Sequence, residues 1–246
     1  MNKLIGNEFL KLRTVRSGWM LLAAAQVMVI AGISGAVARV PTAQLSGVAV
    51  KGLGHIGLIS LFTLVLGIVA VAGEYRHRTI IDTFLSEPRR GRVIAAKTAV
   101  YFVAGLGFGI LSAATAIITT TIWLAARGGS FDLGSTEIWR TVLGGIAWNA
   151  MFGAIGVGVG ALIRNLTGAI VAALAWIALL EGIAGQLLGG AGRWLPYRSG
   201  AALANTPSMD GAGGGLSQWQ GGLVLAAYAV LFIVLAVSVT ILRDVT

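Results

Sequence analysis

The stretch of this sequence that comes closest to a catalytic signature is Gly91-Arg92-Val93-Ile94-Ala95-Ala96-Lys97-Thr98. It misses the phosphate-cradling pattern G-x-x-x-x-G-K-[ST] by one residue, with Ala96 where the second glycine belongs. That chemistry needs a buried strand before the loop and an α/β sheet around it. Here a basic surface helix precedes the stretch and a long apolar run follows, so no phosphate loop is expected. His55 and His77 are the only histidines, and neither stands in H-E-x-x-H. An intramembrane Ser-His protease would need a serine in a G-x-S-like setting, which Ser34 in Gly32-Ile33-Ser34-Gly35 does not supply. With no cysteine there is no thiolate nucleophile, no thiolate metal site and no disulfide. The sequence predicts no catalytic residue and no metal site.

Binding chemistry has better candidates. Glu181 is the only acidic residue that falls inside an apolar run, where a carboxylate must be neutral, hydrogen-bonded or facing a wet cavity. Counted from Gly168 it lies about 20 Å along a helix at 1.5 Å per residue, nearer the far surface. Two roles stay open: anchoring the segment that follows, with Gln186 as neighbour, or work in a pathway or outer gate. Gln26, Trp148 and Trp176 are the other pathway candidates, the tryptophans with core packing as the alternative.

The polar stretch from Glu74 to Lys97 is heavily basic and separates two apolar runs. Ile80, Ile81, Phe84 and Leu85 recur at i, i+1, i+4 and i+5, which gathers four apolar side chains on one side of a short helix. Arg76, Arg78, Asp82 and Glu87 fall mostly on the other sides, and Pro88 ends the helix. Such a helix either rests on lipid, with its arginines on anionic headgroups, or fills a groove on a soluble partner.

The elements that hold these residues follow from composition. Hydrophobic residues make up 57% of the chain and charged residues 11%, against roughly 45–50% and 25% in soluble domains, so the class is integral membrane. Six runs are long enough to cross: 18–38, 52–72, 98–126, 141–163, 168–190 and 222–242. They predict one all-helical membrane domain spanning 1–246. All four prolines fall between the runs. Met1 to Ser17 sets Leu4, Ile5, Phe9 and Leu12 opposite Lys3, Lys11, Arg13 and Arg16, an amphipathic helix leading into span one. The alternative of a cleaved signal peptide is disfavoured, because the apolar run is too long and further spans follow.

Twelve basic residues lie on the side of the N-terminus, the 74–97 stretch, Arg164 and Arg243. Six lie on the other: Arg39, Lys51, Arg127, Arg140, Arg193 and Arg198. The positive-inside rule then puts both termini and the 74–97 stretch in the cytoplasm. Spread through the loops, the +9 net charge reads as topology and headgroup contact, with no nucleic acid. Glycines four apart, at Gly105 and Gly109, Gly156 and Gly160, and Gly185 and Gly189, allow close helix contact within or between chains. The outer segment 191–221 mixes Trp194, Tyr197 and Trp219 with a glycine run, and is either a partly ordered cap or disordered.

Over essentially its full length the chain resembles the type-2 ABC exporter permeases, the membrane subunits of ATP-binding-cassette transporters. Three stretches carry the resemblance: Glu8-Phe9-Leu10-Lys11-Leu12-Arg13-Thr14; Gly73-Glu74 followed by Arg78-Thr79-Ile80, Leu85, Pro88, Arg89 and Lys97; and Gly156 to Arg164. It implies an N-terminal elbow helix, a coupling helix between spans two and three that docks a soluble ABC ATPase, short outer helices before span six, and pairing with a second permease chain. Arg76, Arg78, Ile80, Ile81, Phe84, Leu85 and Glu87 would then form the docking surface. ATP and Mg would be held by the partner subunit, so this chain is not expected to be an enzyme. The setting implied is a bacterial inner membrane, and a hydrophobic pathway suits an amphiphilic substrate. A non-transporting structural or immunity protein and a secondary transporter remain the alternatives.

Overall fold

The computed structural model describes residues 1–41, 48–206 and 215–242. Pro207, most of the Gly211 to Gly215 run and Arg243 lie outside them. Among the described residues the chain is helical, without strands. The amphipathic helix α1 (Asn2–Thr14) breaks at Val15 and turns into α2 (Arg16–Ala38), which is span one. Span two is assembled from the short α3 (Val48–Leu53) and α4 (His55–Leu58) and the long α5 (Ser60–Arg76). Then follow α6 (Ile80–Ser86), α7 (Arg90–Ala126) and α8 (Thr136–Ile163). Span five is α9 (Leu166–Ala175), a π-helical turn (Trp176–Leu180) and α10 (Glu181–Leu187). A 3₁₀ turn (Gly189–Trp194) and α11 (Pro196–Leu203) lead towards α12 (Gln218–Leu242), the sixth span.

Six helices among the described residues are long and apolar enough to cross a membrane. The chain is a multi-pass membrane protein. Burial separates these spans into two kinds. Spans two and four are 72% buried, whereas spans one, three, five and six are 17–33% buried, so α5 and α8 form the axis and the others surround it. The axis is close because glycine permits it. A Cβ at Gly67 would meet the Gly153 carbonyl, and one at Gly156 the Leu64 carbonyl. Gly105 and Gly109 likewise press against Asn149 and Ile146 of α8, so within this chain those pairs pack helix on helix.

The structure moves one boundary that matters. The apolar run of span three begins at Thr98, but nothing after Pro88 breaks the helix, and α7 runs unbroken from Arg90 for 37 residues. At 1.5 Å per residue that is about 55 Å, well beyond the roughly 30 Å of hydrocarbon. Its first two turns, with Lys97, therefore stand beneath the span as part of the bundle. The same end of the molecule carries α1, α6 and the C-terminal end of α12. Arg90 donates to the Thr240 carbonyl at 3.0 Å and Arg164 to Val239 at 3.3 Å, placing cations where the α12 dipole is negative.

Candidate functional site

Two sites stand at opposite ends of the bundle. The basic end is built around the turn after α5. Arg78 takes a left-handed conformation (φ 59°), and Thr79 N–H reaches back to the Glu74 carbonyl at 3.0 Å, the Schellman way of closing a helix. Glycine usually fills that position. An arginine there costs about 1 kcal/mol, so other contacts must hold the turn.

Those contacts are ionic. Lys97 Nζ lies 2.8 Å from Glu8 Oε2 and 2.7 Å from Glu74 Oε1, and also donates to the Ala70 carbonyl at 3.1 Å. Lys11 Nζ lies 2.8 Å from Glu8 Oε1 and 2.7 Å from Glu74 Oε1. Two carboxylates and two ammoniums thus close a ring that joins α1, α5 and α7. Lys97 is fully buried and Glu8 nearly so. Thr83 of α6 offers its hydroxyl to Glu74 Oε2 at 3.5 Å, a marginal distance. Buried charges of this kind persist only when each is matched, and here all three Lys97 donors have acceptors. Lys11, at the half-exposed edge, is desolvated, yet its hydrogen bonds to Glu74 and Glu8 outweigh that burial and hold its pKa above the ordinary 10.5.

Sequence reading missed this ring. Glu8 entered only through the resemblance, Glu74 and Lys97 also as the ends of the basic stretch, and Lys11 and Lys97 as topology charges. The available signal was Glu8, one acid on an otherwise basic helix.

The helix beside the ring, α6, does not present all four apolar residues. Ile80 is turned into the protein and buried. Ile81 and Leu85 stand 47% and 76% exposed, one helical turn apart. Phe84 is half-buried with the Arg90 guanidinium 5.3 Å above its ring. Arg76 and Arg78 are exposed and Glu87 is partly so. The face offered outward is therefore Ile81 and Leu85 among charged neighbours.

At the other end, Pro196 occupies the first position of α11, and Leu195 at the N-cap has no side-chain acceptor for the orphan amides. Glu181 supplies one from span five. Its oxygens accept from Tyr197 N–H at 2.9 and 3.0 Å and from Arg198 N–H at 3.3 Å. These are the second and third helical residues, where a side-chain cap ordinarily binds. The anchoring role is what this geometry supports, with the partners in α11 in place of Gln186. The π turn places Trp176 and Glu181 in register, five residues apart on one face.

The remaining pathway candidates separate. Trp148 is buried, stacked edge-on against Phe152 (5.8 Å) and Tyr197 (4.9 Å). Trp176 is 45% exposed on the outside of span five. Gln26 clamps span one to α7, donating to Ser112 at 3.1 Å and accepting from Thr115 at 2.8 Å. Ser34 accepts from Trp123 and His55 bonds to the Gly52 carbonyl, so the two are not paired with each other. Gly91 to Thr98 is helix throughout, which commits its amides to the backbone. No group of three metal-ligating side chains occurs among the described residues. Neither a family model nor a curated protein matches this chain.

Proposed function

We propose that the chain is the membrane subunit of an ATP-driven exporter of the type-2 ABC class, docking a soluble ATPase through α6 and pairing with a second permease. Both termini and α6 would face the cytoplasm of a bacterial cell, and the path formed by the pair would carry an amphiphilic substrate. The observation that carries this reading is the mounting of α6. A seven-residue helix is too short to be stable alone, yet this one forms between spans two and three with Ile80 buried on its inner side. It lies beside the Glu8–Lys97–Glu74–Lys11 ring, with Thr83 3.5 Å from Glu74, and offers Ile81 and Leu85 outward. A small apolar knob on a charged support fits a groove on a soluble partner. ATP closure would reach the spans through the same ring, since it joins α1, α5 and α7.

The test is co-purification with a candidate ABC ATPase and stimulation of that ATPase in the reconstituted complex. Leu85→Ala, combined with Ile81→Ala, should cost about 2 kcal/mol or more, roughly thirtyfold in affinity, as loss of buried anchors commonly does. Phe84→Ala should act less, its ring being half covered already. Exchange of the exposed Arg89 for Gln is the matched control, since Arg90 is committed to Thr240 and the Phe84 ring. Normal assembly by the Ile81/Leu85 variant would remove α6 as the docking element.

A further inference from the structure

Beside the ionic ring lies a cavity of about 800 Å³, walled by α1, the start of α2, one face of α5, α6, Tyr101 of α7 and Leu166 of span five. Its volume is within the range of small-molecule sites. The α5 wall is a single helical stripe: Leu66, Val69, Ala70, Gly73, Glu74 and His77. Over these 11 steps, about 16 Å along the helix axis, the wall passes from aliphatic to charged. A cavity graded this way along its length matches a molecule with one apolar body and one polar head.

The sign of the head follows from the charges at the polar end. Glu8, Glu74 and Asp82 line the cavity with Lys11 and the imidazole of His77, and Lys97 backs the ring, so three carboxylates meet two ammoniums and one imidazole. Glu74 Oε1 faces both lysines, while Oε2 has only the distant Thr83 hydroxyl. The Asp82 carboxylate has no ion pair or hydrogen bond among the described residues. Among the described residues no arginine lines the cavity, although the chain carries a net charge of +9. The surplus is negative on a basic protein.

We propose that this cavity binds a cationic amphiphile, an ammonium or quaternary amine on a single apolar body, with the head at Glu74 and Asp82 and the body along Leu66, Val69 and Ala70. An anionic head would face the surplus carboxylate, and a neutral one would leave it unanswered. This site does not depend on the docking role of α6, and a failed ATPase pairing leaves it standing.

The test uses the full chain in nanodiscs of zwitterionic lipid and two probes of equal tail, dodecyltrimethylammonium and dodecyl sulfate, each below its micellar concentration. Calorimetric titration, corrected with empty nanodiscs, should show saturable binding of the cation alone. Asp82→Asn removes the unpaired charge from an exposed position and should weaken binding roughly tenfold, as loss of a charge-assisted contact does. Gly73→Leu narrows the cavity where its aliphatic wall meets the charged end. A Cβ there meets only Val69 Cγ1 at 3.8 Å, an ordinary contact, so the larger side chain starts into open space and saturable binding of the cation should weaken roughly tenfold or more. Equal affinity for the anionic probe overturns the proposal, as does wild-type binding of the cation by both variants.

Discussion

Glu74 and Glu181 are carboxylates at opposite ends of one bundle, and they are held by different physics. Glu74 shares two ammoniums with Glu8, and its partners are 63 and 23 residues away in sequence, on two other helices, α1 and α7. Glu181 is 3% exposed and accepts from the two amides of a helix start only 16 and 17 residues on. The first arrangement ties the fold together across its long-range contacts. The second fixes one cap to the span before it. Removing a member of the ring should therefore be felt by the whole basic end, while removing Glu181 should be felt locally.

The largest effect is expected at Lys97. Lys97→Met leaves Glu8 and Glu74 with one half-exposed lysine between them, and breaking a buried pair this way costs about 3–5 kcal/mol. Thermal unfolding in detergent should show it, with loss of the folded monomer on sizing. Removing Glu8 as well, in Lys97→Met with Glu8→Leu, restores the match between one acid and one base and should recover most of the loss. A double variant no better than the single one would mean the ring is not the tie proposed here.

At Glu181 the predicted cost is smaller and local. Leu leaves the Tyr197 and Arg198 amides without an acceptor, about 1–3 kcal/mol, whereas Gln keeps an oxygen in place and should behave nearly as the native residue. Hydrogen exchange at those two amides is the measurement. Protection that survives in Glu181→Leu would show that α11 does not need its tertiary cap.

This contrast also marks what could be read before the structure. The six spans were legible because a helix in lipid declares itself by composition, and the described helices overlap every expected run. Glu181 was legible as a group needing partners, since a lone carboxylate in an apolar run admits few solutions. Its partners were not, because the N-cap that Leu195 fails to provide is visible only once α11 begins at Pro196. Lys97 was hidden by the habit of ending a span at the first charge. Unbroken helix through Arg90 to Lys97 turned a loop charge into the centre of the ring. Ile80 was misplaced by periodicity alone: its spacing groups it with Ile81, Phe84 and Leu85, but the left-handed turn at Arg78 sets the rotation of α6 and points it inward.

Helix ends give a finer version of the comparison, since Arg164 answers α12 carbonyls at the basic end as Glu181 answers α11 amides at the other. Arg164 is itself left-handed (φ 54°) and stacks 5.2 Å from the Tyr75 ring. Arg164→Ala loses the cation at a helix C-terminus, worth about 0.3–1 kcal/mol, and keeps the backbone strain. Arg164→Gly loses the same cation but relieves about 1 kcal/mol of strain. The glycine variant should melt at or near the native temperature and the alanine variant below it. The reverse order would show that the freedom glycine adds to the unfolded chain outweighs the strain it relieves.

Lys11 should give the smallest effect, and it bears on the ring by titration. Burial lowers its pKa, the Glu74 and Glu8 bonds raise it, and the balance lies above 10.5 in the folded protein. A base held above its unfolded value contributes stability that is complete below about pH 10.5 and is lost as pH rises through the folded value. Its side chain is 43% exposed, so solvent screening keeps that contribution small. The opposite end loosens in the same direction for another reason. Burial pushes the Tyr197 phenol up to about 12, so the unfolded chain ionises first and alkaline pH favours unfolding. Total stability therefore falls at both ends, and the melting temperature of the native chain alone does not separate them. The difference between the native chain and Lys11→Gln does, because Tyr197 is common to both. That difference should be constant through neutral pH and close above pH 10.5. A gap that persists at high pH would mean Lys11 contributes by packing its methylenes and not by its charge.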